Sequence, residues 1–407
     1  MPVSLWWWAA CRAFQGVMYV VALFIPWRRP ELLKGPGAIS KLPAFIKGKR
    51  LQRGLIVTDG VLMRLGLLDS FISGMKDEGL EVFIYQGVTP NPTEEEVEEG
   101  LKQYLDNQCD HIIGFGGGSP IDCAKLVGAR VVRPNKTVKQ MGGVFKVLRE
   151  LPPLFAVPTT AGTGTECTLG AVVVDTKAKE KYPVEDPSLF PHYAVLDPCL
   201  TLTLPKFDTA ATGMDALSHA VEAYVNILQT EQTERDAITA VKLVFENLRN
   251  AYNDGSDLEA RTKMMDASYI AGLAFTRAYV GYVHAISHTL SGLYDLPHGY
   301  ANAVLLPPVL EAYGPPAHRR LANLAEAIGI SKGNDAERAQ KFIQAIRDLN
   351  AALDIPETMS WKEEKHVINK DDIPLMVSRA LSEANPLYPV PTILGAEELI
   401  EIIKQIM

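Results

Sequence analysis

The sequence is poor in cysteine, and the pattern of its cysteines excludes two kinds of structure. Five cysteines are spread over 407 residues, and none of them forms a C-x-x-C pair. Disulfide frameworks use an even set of cysteines in a short chain, and cysteine zinc sites use closely spaced pairs. We therefore expect free, buried thiols in a reducing compartment, which predicts a cytoplasmic protein.

Basic charge and long apolar runs are also lacking. The 40 lysines and arginines are outnumbered by 48 aspartates and glutamates, which disfavours nucleic acid and anionic membranes as partners. The apolar run over residues 17–25 is far shorter than the roughly 20 residues that span a bilayer, so we expect no transmembrane segment. Trp6, Trp7 and Trp8 open a helical extension over residues 1–30, which we expect to pack against the body or a partner subunit. An interfacial membrane contact, which tryptophans suit, is the alternative.

In the first half of the chain, short apolar runs alternate with helical patterns. Nearly continuous apolar, β-branched runs are typical of strands that are buried on both faces. The predicted strands are residues 54–58, 81–85, 111–115, 154–157 and 171–174. Helical segments at residues 93–107 and 120–128 lie between them. This alternation predicts an α/β domain with a parallel sheet over residues 31–205.

After residue 205 the pattern becomes helical. Apolar residues recur at helical spacing, and no alternating β-branched run interrupts them. The predicted helices are residues 208–228, 231–252, 258–279, 318–327, 335–353 and 396–407. The sequence therefore predicts an all-helical domain over residues 206–407.

Two loops in the α/β domain are suited to binding a dinucleotide. Glycines at 116–118 and Ser119 follow one predicted strand, and the threonine-rich segment 158–166 follows another. Ligands of open parallel sheets collect at the carboxyl ends of the strands, where helix N-termini attract phosphates. Asp59 follows a third strand, where a carboxylate accepts hydrogen bonds from ribose hydroxyls and repels a 2′-phosphate. This predicts NAD rather than NADP, although Asp59 also suits a plain helix cap.

Histidines are rare and clustered in the helical domain. Four of the eight lie between residues 219 and 298. Asp215 and His219 are one helical turn apart, as are His284 and His288, and His298 follows in a predicted loop. A carboxylate with three imidazoles suits Fe²⁺ or Zn²⁺. Spacing alone leaves open which three histidines bind the metal.

These motifs together resemble the iron-containing (group III) alcohol dehydrogenase family. The resemblance runs from about residue 25 to the C-terminus and rests on the glycine loop with Asp122 and Lys125, the threonine loop, and the Asp215 and histidine segments. It implies a Rossmann-like α/β domain and an all-α domain, as in dehydroquinate synthase, with a cleft between them. It also implies that the N-terminal extension packs as a helix.

The resemblance further implies a role for individual residues. It assigns the metal to Asp215, His219, His284 and His298, and leaves His288 as a candidate proton relay. It assigns the dinucleotide to Asp59, Asn91, Gly117, Gly118, Ser119, Thr159, Thr160, Thr163 and Lys181. Gly170 and Thr165 depart from residues found in other members.

The function implied is a metal-dependent, NAD(P)-linked alcohol dehydrogenase or aldehyde reductase that acts on a small alcohol, and a homodimer is expected. Phe275, Leu169 and Tyr279 are candidates for apolar walls around the substrate. The alternatives are a hydroxyacid–oxoacid transhydrogenase, a related polyol dehydrogenase, a lyase of the dehydroquinate synthase type and a non-enzymatic binding module.

Overall fold

A computed structural model of the protein describes residues 4–360 and 367–407. The chain forms two compact units. One unit comprises Pro26–Leu204 and Gly255–Met265, and the other comprises Met1–Ile25, Pro205–Asp254 and Asp266–Met407. The first unit contains the strands, and the second is helical, so the predicted combination of a parallel sheet with a helical domain is confirmed.

The α/β unit is built on a six-stranded parallel sheet and a smaller three-stranded sheet. The strands are β1 Glu31–Lys34, β2 Arg53–Val57, β3 Glu81–Tyr85, β4 His111–Gly116, β5 Gly143–Val144, β6 Leu154–Pro158, β7 Gly170–Asp175, β8 Glu180–Glu185 and β9 Tyr193–Leu196. The larger sheet has the order β1-β9-β6-β4-β2-β3 with every pair parallel. The central strands β4 and β6 are buried throughout, as expected from their continuous apolar sequences.

One predicted strand belongs elsewhere. Residues 171–174 lie in β7, which pairs antiparallel with β8 in the three-stranded sheet rather than joining the parallel sheet. The prediction of a strand was right, but its sheet was wrong, because an apolar run does not specify its pairing partner. The edge strand β1 and its neighbour β9 were missed, since each has only four residues.

Helices cover both faces of the parallel sheet. They are α2 Leu42–Gly48, α3 Gly60–Arg64, α4 Asp69–Asp77, α5 Glu94–Asp106, α6 Gly118–Val132 and α7 Val138–Met141. Thr93 and Glu96 cap the acidic start of α5 reciprocally, which satisfies two backbone N–H groups. Separate apolar cores form on the two sides of the sheet, one including Val127 on α6 and the other including Phe71 on α4.

The remaining helices are α1 Leu5–Ala22, α8 Lys206–Val225, α9 Glu231–Asn253, α10 Leu258–Ala278, α11 Tyr282–Tyr294, α12 His298–Tyr313, α13 Pro315–Ala327, α14 Asp335–Ala352, α15 Ile373–Ala384 and α16 Ala396–Gln405. In the helical unit, α8 packs against α9 and α12, and α11 packs against α12 and α15. Among the described residues, no helix is both long and apolar enough to cross a membrane.

Helices α11, α12 and α15 were not among the predicted helices. His298, predicted in a loop, is the first residue of α12, and Pro297 precedes it as the cap. The helix α12 was missed because it is buried on almost all sides and so lacks an amphipathic period, and because Pro307 and Pro308 lie within it. The helix α11 is also buried along most of its length and was missed for the same reason.

The N-terminal extension is helical only over Leu5–Ala22. Cys11 and Gln15 are its buried residues, whereas Trp6, Val17 and Val20 are more than half exposed. The expected packing therefore exists, but it is made by a narrow side of α1 that contains Cys11 and Gln15.

Candidate metal centre and nucleotide-binding loops

The first candidate ligands lie on the buried helix α8. Asp215 and His219 are 2% and 4% exposed, and their four-residue spacing places them on one side of the helix, one turn apart. Asp215 Oδ1 lies 3.9 Å from His219 Nδ1. Polar groups so deeply buried need partners, which helices α11 and α12 supply.

Helices α11 and α12 bring two imidazoles to Asp215. His284 Nε2 and His298 Nε2 lie 3.9 and 3.8 Å from Asp215 Oδ1. One ligand atom from each of the three residues lies within 4.8 Å of the others, a spacing that one metal ion can bridge. The packing of α12 on both α8 and α11 creates this convergence.

The outer nitrogens of both imidazoles are already committed to hydrogen bonds. His284 Nδ1 lies 2.5 Å from Glu222 Oε2, and His298 Nδ1 lies 3.0 Å from Ser287 Oγ. Because the Ser287 hydroxyl donates to the carbonyl of His284, it accepts from Nδ1 of His298. With the protons on Nδ1, both Nε2 lone pairs are directed towards Asp215, which is the arrangement that metal ligation requires.

The amide nitrogen of Asn302 contacts all three candidate ligands. Its nitrogen lies 2.8 Å from Asp215 Oδ1, 3.2 Å from His284 Nε2 and 3.1 Å from His298 Nε2. An amide nitrogen carries two hydrogens, so it satisfies at most two of three acceptors. A divalent cation interacts favourably with all three, so the residues present fit a metal ion.

Glu222 is fully buried, and its environment acts on its charge in two directions. Burial raises its pKa to about 8, because the carboxylate loses hydration. Backbone N–H groups of Gly281 and Val283 oppose this rise by donating to the carboxylate. A cation bound to His284 would favour the ionised form in the same way.

His219, the fourth predicted ligand, lies beside the cluster. Its ring stacks on His284 with centroids 4.4 Å apart and on Phe275 at 4.1 Å. Its nitrogens are not part of the group that falls within 4.8 Å. The structure therefore brings Asp215, His284 and His298 together and places His219 at their edge.

His288 lies one turn after His284 on α11 and is 7% exposed. Its ring stacks on His298 at a centroid distance of 5.0 Å. Its Nδ1 lies 2.8 Å from Glu383 Oε1 on α15. The structure thus places His288 next to the candidate metal ligands, with one nitrogen paired to a carboxylate.

The two predicted nucleotide loops follow the neighbouring strands β4 and β6. Gly116 has a φ of +151° that favours glycine, and its carbonyl accepts from the N–H of Thr159 at 2.9 Å. A Cβ on Gly117 would lie 3.3 Å from Thr160, and one on Gly118 would lie 2.8 Å from Thr163. The loops are therefore in contact, and α6 begins there with backbone N–H groups suited to an anion.

Further predicted cofactor residues lie close to this point. The N–H of Asn91 donates to Ser119 Oγ at 3.2 Å, and Lys181 Nζ donates to Asn91 Oδ1 at 2.8 Å. Asp59 caps α3 by accepting from the N–H groups of two residues, both through Oδ1. Its capping role is therefore present, and its role towards a ribose remains a prediction.

A buried lysine fixes the threonine loop. Lys125 Nζ donates to Thr165 Oγ1 at 2.8 Å, to the Thr168 carbonyl at 3.0 Å and to the Gly170 carbonyl at 2.6 Å. Burial lowers the pKa of Lys125 to about 8, while the charge of Asp122 acts in the opposite direction. Of the two departures, Thr165 contributes its side chain to this anchor, and Gly170 contributes only its backbone carbonyl.

Sequence reasoning missed Glu222, Asn302 and Glu383. Glu222 is seven residues after Asp215, so the helical spacing that singled out His219 extends to it. Asn302 is four residues after His298, but its relevance depended on recognising α12 as a helix. No sequence signal connects Glu383 to His288, because 95 residues separate them.

Comparison with known proteins agrees with this arrangement. Residues 30–198 match the family described as iron-containing alcohol dehydrogenase, and residues 209–407 match the C-terminal part of the same family. The chain belongs to the iron-containing alcohol dehydrogenase family. As a member, it is a metal-dependent oxidoreductase of alcohols that uses a nicotinamide dinucleotide.

Three relatives of this alcohol dehydrogenase are similar over most of their length. The 1,3-propanediol dehydrogenase of Citrobacter freundii is 38% identical over 91% of this chain and 95% of its own. The NAD-dependent methanol dehydrogenase of Bacillus methanolicus is 36% identical over 94% and 98%. The NADPH-dependent butanol dehydrogenase of Clostridium saccharobutylicum is 35% identical over 87% and 90%. A crystal structure of 1,3-propanediol oxidoreductase matches with a TM-score of 0.88 and 36% identity, over 94% of this chain and 100% of that one.

Proposed function

We propose that this enzyme interconverts a small, fairly apolar alcohol and its aldehyde or ketone, with Fe²⁺ as the metal and NAD as the preferred dinucleotide. The observation that carries the proposal is the convergence of Asp215, His284 and His298 on one point in the helical unit. Diol, methanol and butanol dehydrogenases among its relatives support a small alcohol as the substrate. The stacking of Phe275 on His219 supports an apolar wall next to the metal.

Asp215, His219, His284 and His298 would hold the cation. A divalent cation there supplies Lewis-acid polarisation of the substrate oxygen, which lowers the pKa of an alcohol. Glu222 and Ser287 keep the imidazole protons on Nδ1, so that the ligand nitrogens stay available. His219 is included because it lies one turn from Asp215 and stacks on His284.

His288 is proposed as the proton relay. Since Nδ1 of His288 is paired with Glu383, Nε2 is the atom that can accept the hydroxyl proton when the hydride leaves the carbinol carbon for the nicotinamide. In the reverse direction the same nitrogen returns the proton. A bound dinucleotide would supply the hydride acceptor, so that the alcohol would lose one hydride to it and one proton to His288.

The dinucleotide would bind at the contacting loops of the α/β unit. Gly117, Gly118 and Ser119 at the start of α6 provide backbone and hydroxyl donors for its phosphates, with Thr159, Thr160 and Thr163 opposite. Asn91 and Lys181 add an amide and a cation close to Ser119. Asp59 is proposed to accept from the ribose hydroxyls and so to favour NAD over NADP.

The decisive experiment tests metal binding and turnover together. Anaerobically purified wild type, His284→Ala and His219→Ala are compared by elemental analysis and by oxidation of NADH with a panel of aldehydes. We expect both variants to lose metal and activity. Full metal content and rate in His219→Ala would remove His219 from the ligand set, and the same result in His284→Ala would end the proposal.

Dinucleotide preference is measured separately. Wild type should show a higher kcat/KM with NADH than with NADPH, and Asp59→Gly should narrow that difference because it removes the repulsive carboxylate. A better rate of the wild type with NADPH would contradict the role given to Asp59.

The rival function of a transhydrogenase is distinguished by its cofactor requirement. A transhydrogenase would turn over with an oxoacid as the acceptor and no added dinucleotide, which we do not expect here. We propose a homodimer, to be tested by sedimentation, and a cytoplasmic location, which the five free cysteines support.

A further inference from the structure

The N-terminal helix α1 is mostly apolar, yet beside Cys11 it buries the polar side chain of Gln15 and exposes several large apolar residues. Gln15 is 1% exposed, whereas Trp6, Val17 and Val20 are between 53% and 71% exposed. A helix that only covered a core would bury its apolar residues instead. The buried amide of Gln15 therefore marks a specific contact.

Gln15 and Arg12 bind the backbone of one segment near the C-terminus. Gln15 Nε2 donates to the carbonyls of Pro386 at 3.0 Å and Tyr388 at 2.8 Å, and Arg12 donates to the carbonyl of Pro391 at 3.1 Å. Arg12 also donates to Gln15 Oε1 at 2.8 Å, which fixes the orientation of the amide. Both hydrogens of Gln15 Nε2 are thus used to hold the segment, and Arg12 holds both the amide oxygen of Gln15 and the carbonyl of Pro391.

The held segment presents Tyr388 to the proposed relay. The Tyr388 hydroxyl, on a residue only 2% exposed, donates to Glu383 Oε1 at 2.8 Å. The same oxygen lies 2.8 Å from Nδ1 of His288. The side chains of Glu383 and His288 are 13% and 8% exposed, so little water competes with this bond.

We propose that α1 is a positioning element for the proton relay, acting through Gln15, Tyr388 and Glu383 on His288. The inference rests on the proposed role of His288. Glu383 keeps the proton of His288 on Nδ1, which leaves the Nε2 lone pair to accept the substrate proton. Tyr388 fixes the carboxylate, and α1 fixes Tyr388. Glu383, Tyr388 and Gln15 are positioning residues, since none of them is placed at the reacting atoms.

The test uses the full-length, metal-loaded enzyme and begins at Glu383. Glu383→Met removes the acceptor at similar length and should lower kcat about 10- to 100-fold, with KM values and metal content unchanged. Glu383→Gln retains an oxygen that can accept from both His288 and Tyr388, so it should recover most of the loss. Glu401→Gln, a surface carboxylate paired with Lys404, is the matched control and should match wild type.

A double-mutant cycle separates action through His288 from a general structural effect. In a His288→Ala background, Glu383→Met should cause no further loss, because its target is gone. If the fold-loss in kcat of the double variant equalled the product of the two single losses, the inference would be overturned. If His288→Ala alone kept full kcat, the relay itself would be wrong, and the inference would fall with it.

The contribution of α1 is measured with Gln15→Ala. This substitution should lower kcat by a smaller factor than Glu383→Met does, and metal content should not change. In the His288→Ala background it should have no effect on kcat. Val20→Ala, on the exposed side of α1, is the control. Tyr388→Phe, which leaves the backbone carbonyl in place, is the second variant if Gln15→Ala does not fold. A wild-type kcat in Gln15→Ala would overturn the role of α1, and a wild-type kcat in Tyr388→Phe would overturn the action through Tyr388.

Discussion

The substitution Glu222→Gln should weaken metal binding while it leaves the metal-free fold intact. Glu222 Oε1 accepts from the N–H of Val283, and Oε2 faces Nδ1 of His284. In the variant, the amide oxygen must keep the position that accepts from the backbone, so the amide NH₂ faces His284. Nδ1 then becomes an acceptor, and the ring proton moves to Nε2, which points at Asp215. A protonated nitrogen cannot ligate a cation.

The structure also sets the expected size of the effect. Loss of a partner that orients a metal-binding histidine costs about 10- to 100-fold in metal affinity, which corresponds to about 1.4 to 2.7 kcal/mol. The fold should tolerate the change, because an amide has nearly the same shape as the carboxyl group and keeps an oxygen that accepts from the N–H of Val283.

Two measurements separate these effects. Metal affinity is measured by competition with a chelator, and the stability of the metal-free protein is measured by urea unfolding in the presence of that chelator. Glu401→Gln serves as the control for loss of a carboxylate. Unchanged metal affinity in Glu222→Gln would refute the tautomer argument, and a large loss of stability without metal would show that Glu222 acts on the fold instead.

Two further predictions concern the supports of the two sites. Gly299→Ala places a methyl group 2.3 Å from the Ala211 carbonyl oxygen of α8, so it should lower the free energy of unfolding by about 1–3 kcal/mol in urea and weaken metal binding, whereas Gly48→Ala, with open space around it, should do neither. Lys125→Met should lower the free energy of unfolding by about 3–5 kcal/mol, because it leaves the buried carbonyls of Thr168 and Gly170 without their hydrogen-bond donor. Since burial lowers the pKa of Lys125 from 10.5 to about 8, the stability that it contributes is fully present only above pH 10.5 and falls as the pH drops through 8. The deficit of Lys125→Met in urea should therefore be larger at pH 10 than at pH 7, and an equal or smaller deficit at pH 10 would contradict the assignment.

Local sequence patterns were sufficient to predict several strands and the first metal candidates. Strands β2, β3, β4 and β6 were predicted to within one residue at each end, because each is a short, mostly apolar run, as is typical of a strand in a covered parallel sheet. The metal candidates on α8 followed from a four-residue spacing. The pairing of β7 with β8 and the helix that begins at His298 were not predictable in this way, because each depends on contacts distant in sequence.

The sequence by itself determined the donor chemistry of this protein: one carboxylate and a few imidazoles in apolar helices, and glycine and threonine loops after parallel strands. Tertiary structure alone decided which nitrogen of each imidazole is available, since Glu222, Ser287 and Glu383 reach their histidines only when α8, α11, α12 and α15 are packed. A tautomer is fixed by the hydrogen bond at the opposite nitrogen, and that partner can lie anywhere in the chain.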